Sequence, residues 1–129
     1  MFFKTKRDNL DKSLYKGLLI NGLCYSAGNR VFMLKGGKAY EFYSPRAFAS
    51  WKLPATEIDP EVCVEFFSGR LGFRDSTLIQ NAKDGRIYLI SGTKKRLVTA
   101  PLSDYCFDIS QIVEVSDAET QFHSDGEDI

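Results

Sequence analysis

The sequence predicts a β-rich α+β fold built from two tandem repeats, each a three-stranded antiparallel meander followed by one or two short helices. Three observations carry that reading. The apolar runs are short and rich in Ile, Leu, Val and aromatic residues, as strands are and long helices are not. Glycine-bearing turns separate them. Finally, Arg30-Val31-Phe32-Met33-Leu34-Lys35-Gly36-Gly37-Lys38 lies without a gap over Arg86-Ile87-Tyr88-Leu89-Ile90-Ser91-Gly92-Thr93-Lys94, an offset of 56 residues. Phe42 then falls over Val98, Pro45 over Pro101 and Trp51 over Phe107. A lone three-stranded sheet with one helix is marginal, whereas two packed copies bury a continuous core.

Taken in order, residues 1–16 form an N-terminal arm, 17–73 the first repeat, 74–123 the second and 124–129 an acidic tail, within one compact unit. In the first repeat, strands are expected at residues 18–20, 31–34 and 39–43, with Gly36-Gly37 turning the second into the third. Ser44 suits a helix N-cap and Pro45 the first helical position, where a missing N–H is harmless. Ala47, Phe48 and Trp51 then share one helix face, Leu53-Pro54 ends the helix, and Pro60 starts a second one over 60–67. In the second repeat the strands fall at 77–80, 87–90 and 95–98, with Asp84-Gly85 and Gly92-Thr93 as turns. A helix carrying Leu102, Tyr105 and Cys106 follows Pro101. Another covers 116–121, where Ser116 and Glu119 have capping-box spacing.

Composition narrows the function. No apolar run reaches the ~18–20 residues of a membrane helix, and Met1-Phe2-Phe3-Lys4-Thr5-Lys6-Arg7 turns charged too soon for a secretory signal. No membrane partner is expected, and synthesis in a cytoplasm is. Cys24, Cys63 and Cys106 are widely spaced, and His123 is the only histidine, so neither a zinc set nor a cofactor is expected. The net charge of zero hides a division. All 17 Lys and Arg lie at or before Arg96, giving +8 there, while residues 97–129 carry −8. The two parts neutralise each other within one chain, or steer association with partners or further copies. The acidic part and the absence of basic–aromatic clustering argue against nucleic acid.

No catalytic constellation emerges. There is no GxSxG elbow, P-loop or GxGxxG, and His123 is read as part of the C-terminal tail, so a Ser–His or Cys–His pair would need that tail to fold back. The protein is read as non-enzymatic, and contact surfaces become the candidates. Lys94, Lys95 and Arg96, with Lys35 and Lys38, form a basic strip for an acidic partner, or guard exposed strand edges. Aromatic residues number 17 of 129. Tyr40, Phe42 and Tyr43 place rings on both faces of one strand, so these rings either pack into the core and against the sister repeat, or leave Tyr40 or Tyr43 at an interface or a sugar platform. Phe2 and Phe3 before a charged run suit an anchor into a neighbouring subunit.

Several segments resemble a known repeat. They are Gly72-Phe73-Arg74-Asp75-Ser76-Thr77-Leu78-Ile79, then Arg86-Ile87-Tyr88-Leu89-Ile90-Ser91-Gly92-Thr93-Lys94-Lys95-Arg96, then Val115-Ser116-Asp117-Ala118-Glu119. The order is similar to the "GFRDGTLI", "VYLI–G–KKR" and "VSDAE" segments of a short repeat in bacterial surface proteins and in tail or other virion proteins of bacteriophages. Ser44-Pro45-Arg46-Ala47-Phe48-Ala49-Ser50-Trp51 matches its "S-x-x-x-F-x-x-W" helix. The chain departs from the pattern at Ala39-Tyr40, at residues 62–65, at Ser76 and at Phe107. The resemblance implies a structural or binding module, located in a virion, with other virion or surface proteins as partners. Self-association or a glycan ligand is the further expectation.

Overall fold

Turn chemistry sets the first sheet. In the computed structural model, which describes residues 22–57 and 67–129, Gly28-Asn29 joins strands β1 (Cys24–Ala27) and β2 (Arg30–Lys35). Only Gly28 of that pair has a positive φ, 67°, the pattern of a two-residue II′ hairpin. Gly36 and Gly37, at 60° and 75°, turn β2 into β3 (Lys38–Phe42), as type I′ requires. The register follows, with Ala27 opposite Arg30 and Lys35 opposite Lys38. Phe32, Met33 and Leu34 are buried in succession, so both faces of β2 are covered. Alternate residues Tyr25, Ala27, Phe32, Leu34 and Ala39 make one apolar cluster. Across β2 and β3, Arg30 grips Glu41 with two 2.9 Å hydrogen bonds. Those bonds hold the Glu41 carboxyl below the usual range despite partial burial. Strands β4 (Ala55–Glu57) and β5 (Phe67–Leu71) complete a sheet ordered β4-β1-β2-β3-β5.

A second sheet has the order β8-β7-β6-β9, from β6 (Leu78–Asn81), β7 (Ile87–Ser91), β8 (Lys94–Leu97) and β9 (Val113–Val115). Ile79, Tyr88, Ile90, Val115, Phe73 and Ala47 form its core. Each fully buried aliphatic side chain there contributes about 1.5–3 kcal/mol. Ala47 belongs to helix α1 (Pro45–Ser50), whose N-cap Ser44 accepts the Ala47 N–H. Helix α2 (Asp117–Gln121) starts at Ser116 with both capping-box bonds formed, as its sequence predicts. Contacts divide the described chain into two units, 22–42 with 53–57 and 67–70, and 43–52 with 71–129. Helix α1 therefore belongs with the second sheet, although it follows the first in sequence.

Several expectations are corrected. The sheets are mixed rather than pure meanders, because β4 pairs parallel to β1 and β9 parallel to β6. A three-stranded meander leaves its first strand with an open edge, and these short strands satisfy its backbone groups. Strand β1 pairs with β2, and the strand expected at residues 18–20 lies outside the described residues. Most of the helix expected over 60–67 lies outside them too, and Phe67 begins β5. After Pro101 the chain makes one 3-10 turn, Leu102–Asp104, instead of a helix. Ala100 occupies the position of Ser44 and offers no capping oxygen, and the Thr99 hydroxyl donates to the Ile129 carbonyl. Residues 124–129 are not a free tail. The Lys95 N–H donates to the Ser124 carbonyl, the Gly126 N–H to Lys95 and the Ile129 N–H to Leu97. Their acidic side chains stay in water while the backbone lines β8.

Between β7 and β8, Gly92 and Thr93 both adopt positive φ, 57° and 65°. A β-branched residue is strained there. Thr93→Gly is expected to raise unfolding free energy by about 1 kcal/mol in urea titration. A loss of stability would show that the threonine side chain stabilises the turn.

Candidate binding cleft

Helix α1 and the segment after β5 are joined by their polar side chains. The Ser50 hydroxyl donates to the Ala47 carbonyl at 2.6 Å and accepts the Arg74 N–H at 3.0 Å. Trp51 Nε1 donates to the Gly72 carbonyl at 2.9 Å. At the N-terminal end of α1 the Ser44 hydroxyl donates to Glu119 Oε2 at 2.6 Å, and Arg46 Nη1 reaches Glu119 Oε1 at 3.1 Å. The same carboxylate accepts the Ser116 N–H at 2.9 Å. Glu119 thereby caps α2 and clasps the start of α1 at once. Burial pushes its carboxyl up, but the hydrogen bonds from Ser116 and Ser44 and the charge of Arg46 outweigh that and hold it below the usual range.

His123 fixes the segment from the other side. Its Nε2 lies 3.0 Å from the Phe73 N–H and its Nδ1 2.7 Å from the Thr93 carbonyl. An N–H must meet a lone pair, so Nε2 is the acceptor and the proton sits on Nδ1, which donates to Thr93. Lys95 Nζ donates to the His123 carbonyl at 2.6 Å and pairs with Asp125 at 3.0 Å. A Cβ on Gly72 would collide with the His123 ring, so only glycine fits beneath the imidazole. His123 is 2% exposed. Burial pushes its basicity down, assisted by the charge of Lys95, while the Thr93 bond and Asp75 act in the opposite sense. The neutral ring is therefore the folded form.

These joints shape a cavity of about 520 Å³ in the second unit, the size of a ligand or peptide-segment site. The C-terminal half of α1 supplies Ala49, Ser50 and Lys52, and the following segment supplies Arg74, Asp75, Ser76 and Thr77. Leu78, Phe107 and Val113 give it apolar surface, and Cys106, Asp108 and Gln111 complete it. Lys52 and Ser76 hold φ of 53° and 75°, so two of its residues are strained. Such strain is held only where surrounding contacts impose it, and it concentrates at binding sites. Both acids are occupied. Asp75 accepts the Thr93 N–H at 3.2 Å, and Asp108 accepts the N–H and hydroxyl of Ser110. Those Ser110 bonds hold the Asp108 carboxyl low.

The residues expected at contact surfaces lie elsewhere. Phe2 and Phe3 are outside the described residues. Lys35 and Lys38 are exposed beside the Gly36-Gly37 turn of the first sheet, and Lys94 is exposed beside Gly92-Thr93 in the second. Lys95 does not extend a basic strip, because it is 5% exposed and bonded to His123 and Asp125. Its position on the covered face of β8 decides that. Arg96 is half-buried and donates to the Glu127 carbonyl at 3.0 Å. Tyr40 is half-buried, while Tyr43 is exposed and rests on Phe122 at 4.6 Å. Lys52, Arg74 and Asp108 escaped the sequence reading because they join only through the fold. His123 escaped it because residues near a chain end read as solvated. Among the described residues no cluster of three His, Cys, Asp or Glu is placed to hold a metal, and no helix is long and apolar enough to cross a membrane.

No family model, curated protein or solved structure matches the chain.

Glu119→Ala is expected to lower unfolding free energy by about 2–4 kcal/mol, against about 1 kcal/mol for Ser116→Ala. Equal losses in chemical denaturation would show that the clasp to α1 contributes nothing. His123 predicts a pH dependence. Its folded basicity lies below the ordinary 6.5, so the unfolded chain takes up the proton first. The stability it contributes is complete above about pH 6.5 and is lost as pH falls through the lower folded value. Urea midpoints should fall between about pH 7 and 5 in the parent, and His123→Gln should remove that fall. A parent midpoint unchanged over this range would refute the assignment.

Proposed function

We propose that this chain is a non-enzymatic structural and interaction protein: a component of a bacteriophage virion, of minor tail, baseplate, adaptor or decoration type, that docks on a larger assembly. The observation that carries the binding reading is the division of labour in the second unit. His123, Lys95 and Glu119, its buried titratable groups, are each bonded to backbone or helix-cap partners, while an open cleft stands beside them. Groups held in this way set the shape of the unit and do not themselves line the cleft.

The virion assignment rests on the resemblance of the 72–79, 86–96 and 115–119 segments to repeats of phage tail and bacterial surface proteins. Sheet register supports reading the chain as two copies of one motif. Phe32 faces Glu41 and Leu34 faces Ala39 in the first sheet, and at the same offset Tyr88 faces Leu97 and Ile90 faces Lys95. Each copy then adds a short parallel strand beside its first strand. A second reading, a glycan-recognition module, is favoured by the exposed ring pair Tyr43 and Phe122. Trp51 fits it less well, since its indole N–H is committed to Gly72.

Sedimentation of a native lysate, with mass spectrometry of the fast fraction, tests the assignment. The chain is expected among capsid or tail proteins. Recovery only from the slow fraction would overturn the virion reading and put glycan-array binding, with Tyr43→Ala as control, in its place.

A further inference from the structure

We propose that residues 124–129 form an acid-released strap: neutral His123 pins them along the outer edge of β8, and protonation of the ring lets them peel away while the second sheet stays folded. The device is independent of what the chain docks on.

The strap runs parallel to β8 and is held there by its backbone. The Lys95 N–H donates to Ser124, the Gly126 N–H to Lys95, the Ile129 N–H to Leu97 and the Thr99 N–H to Ile129. Arg96 Nε donates to the Glu127 carbonyl, and the Thr99 hydroxyl to that of Ile129. No side chain of the strap is buried. Ser124, Asp125, Glu127 and Asp128 are exposed, and Gly126 and Ile129 are half-buried. Exposed backbone bonds with few apolar contacts beneath them open at low free energy. The anchor is the preceding residue, buried His123, whose carbonyl also receives the Lys95 ammonium.

The ring has no place for a second proton. Nε2 accepts the Phe73 N–H at 3.0 Å and Nδ1 donates to the Thr93 carbonyl. A proton on Nε2 turns the acceptor into a donor, so two N–H groups would face each other and that bond is lost. The surroundings do little for an imidazolium. Two rings flank it, Phe73 at 6.0 Å and Phe122 at 5.5 Å. The Lys95 charge opposes it, although Asp125 pairs with that ammonium at 3.0 Å. Asp75, which accepts the Thr93 N–H, favours it. Burial and Lys95 prevail over Asp75.

Burial also decides which side yields. Phe73 belongs to the core of the second sheet, and its neighbours are tied to α1 through the Trp51–Gly72 and Ser50–Arg74 bonds. The strap has no comparable hold. Once it is free, the ring titrates near its ordinary value. Below about pH 6.5 each pH unit therefore favours the released form by up to about tenfold, until the lower value of the pinned ring is reached. Release bares backbone groups of Lys95, Leu97 and Thr99, an edge with which another strand can pair.

The test is NMR of the full chain between about pH 7.5 and 5, with His123 side-chain nitrogen shifts following the ring and amide protection factors following the strap. Protection of Gly126 and Ile129 is expected to fall at least about fivefold, in step with the ring. The Asn81 and Ile90 amides, bonded to Arg86 and Thr77, should keep theirs. His123→Gln stays neutral yet can accept and donate at the same places, and should hold strap protection constant across this range. Asp125→Asn should still show the fall, because the imidazole sets it. Unchanged strap protection while the ring titrates would overturn the proposal. So would an equal loss at Ile90, which marks global unfolding, or a loss at Arg74 with the strap intact. A fall that persists in His123→Gln or vanishes in Asp125→Asn would also overturn it. If His123→Gln does not fold, the parent titration and Asp125→Asn decide the matter.

Discussion

His123 brings three strands of chain to one buried point. Its ring accepts the Phe73 N–H and donates to the Thr93 carbonyl, and its own carbonyl receives the Lys95 ammonium. The Phe73 N–H would otherwise be buried without a partner, which costs about 1–3 kcal/mol. Gly72 is flat against the ring because no side chain fits there. Once Phe73 is fixed, Arg74 and Asp75 follow at the cleft wall. Once Thr93 is fixed in its strained turn, its N–H is aimed at Asp75. The geometry of the cleft thus depends on one neutral imidazole.

Glu119 plays the matching part at the other end of α1. A single carboxylate serves a helix cap, a serine hydroxyl and an arginine. A helix of six residues has little stability of its own, and α1 is held by its two ends rather than by its length. Its N-terminus is tied to Glu119, and its C-terminal turn is tied through Ser50 and Trp51 to residues 72–74. This is why a helix that follows the first sheet in sequence becomes a wall of the second unit. It also explains the charge pattern of the cleft. Arg46 is engaged in holding the fold, so the charges left facing the cleft are two cations, Lys52 and Arg74, and two carboxylates, Asp75 and Asp108.

The sequence was most legible where a short-range rule acts alone. Gly36-Gly37 and Gly92-Thr93 mark tight turns because few other pairs tolerate two successive positive φ values. Ser44-Pro45 and Ser116 with Glu119 mark helix starts because the capping oxygen and its N–H lie within three residues of each other. Where the same local signal was incomplete, the expectation failed. Pro101 without a capping side chain before it gave a single turn instead of a helix. The parallel strands β4 and β9 were not legible, since a three-residue strand carries no period of its own and exists only because an edge is there to pair with. Lys95 was misread for a related reason. Its charge says surface, while its place on β8 puts it beneath residues 123–125.

By itself, then, the sequence determined the local grammar: short strands, the turns between them, the helix caps and a common register in the two sheets. Those features follow from φ/ψ sterics and from hydrogen bonds between near neighbours, which any reading of residues in order can find. Tertiary structure alone decided what became of the long-range partners. It turned His123 from a presumed tail residue into a buried joint, joined Ser44 to Glu119 across 75 positions, and gathered Lys52, Arg74 and Phe107 around one cavity. Burial and pairing between distant segments set those roles, and no local pattern encodes which distant segment will arrive.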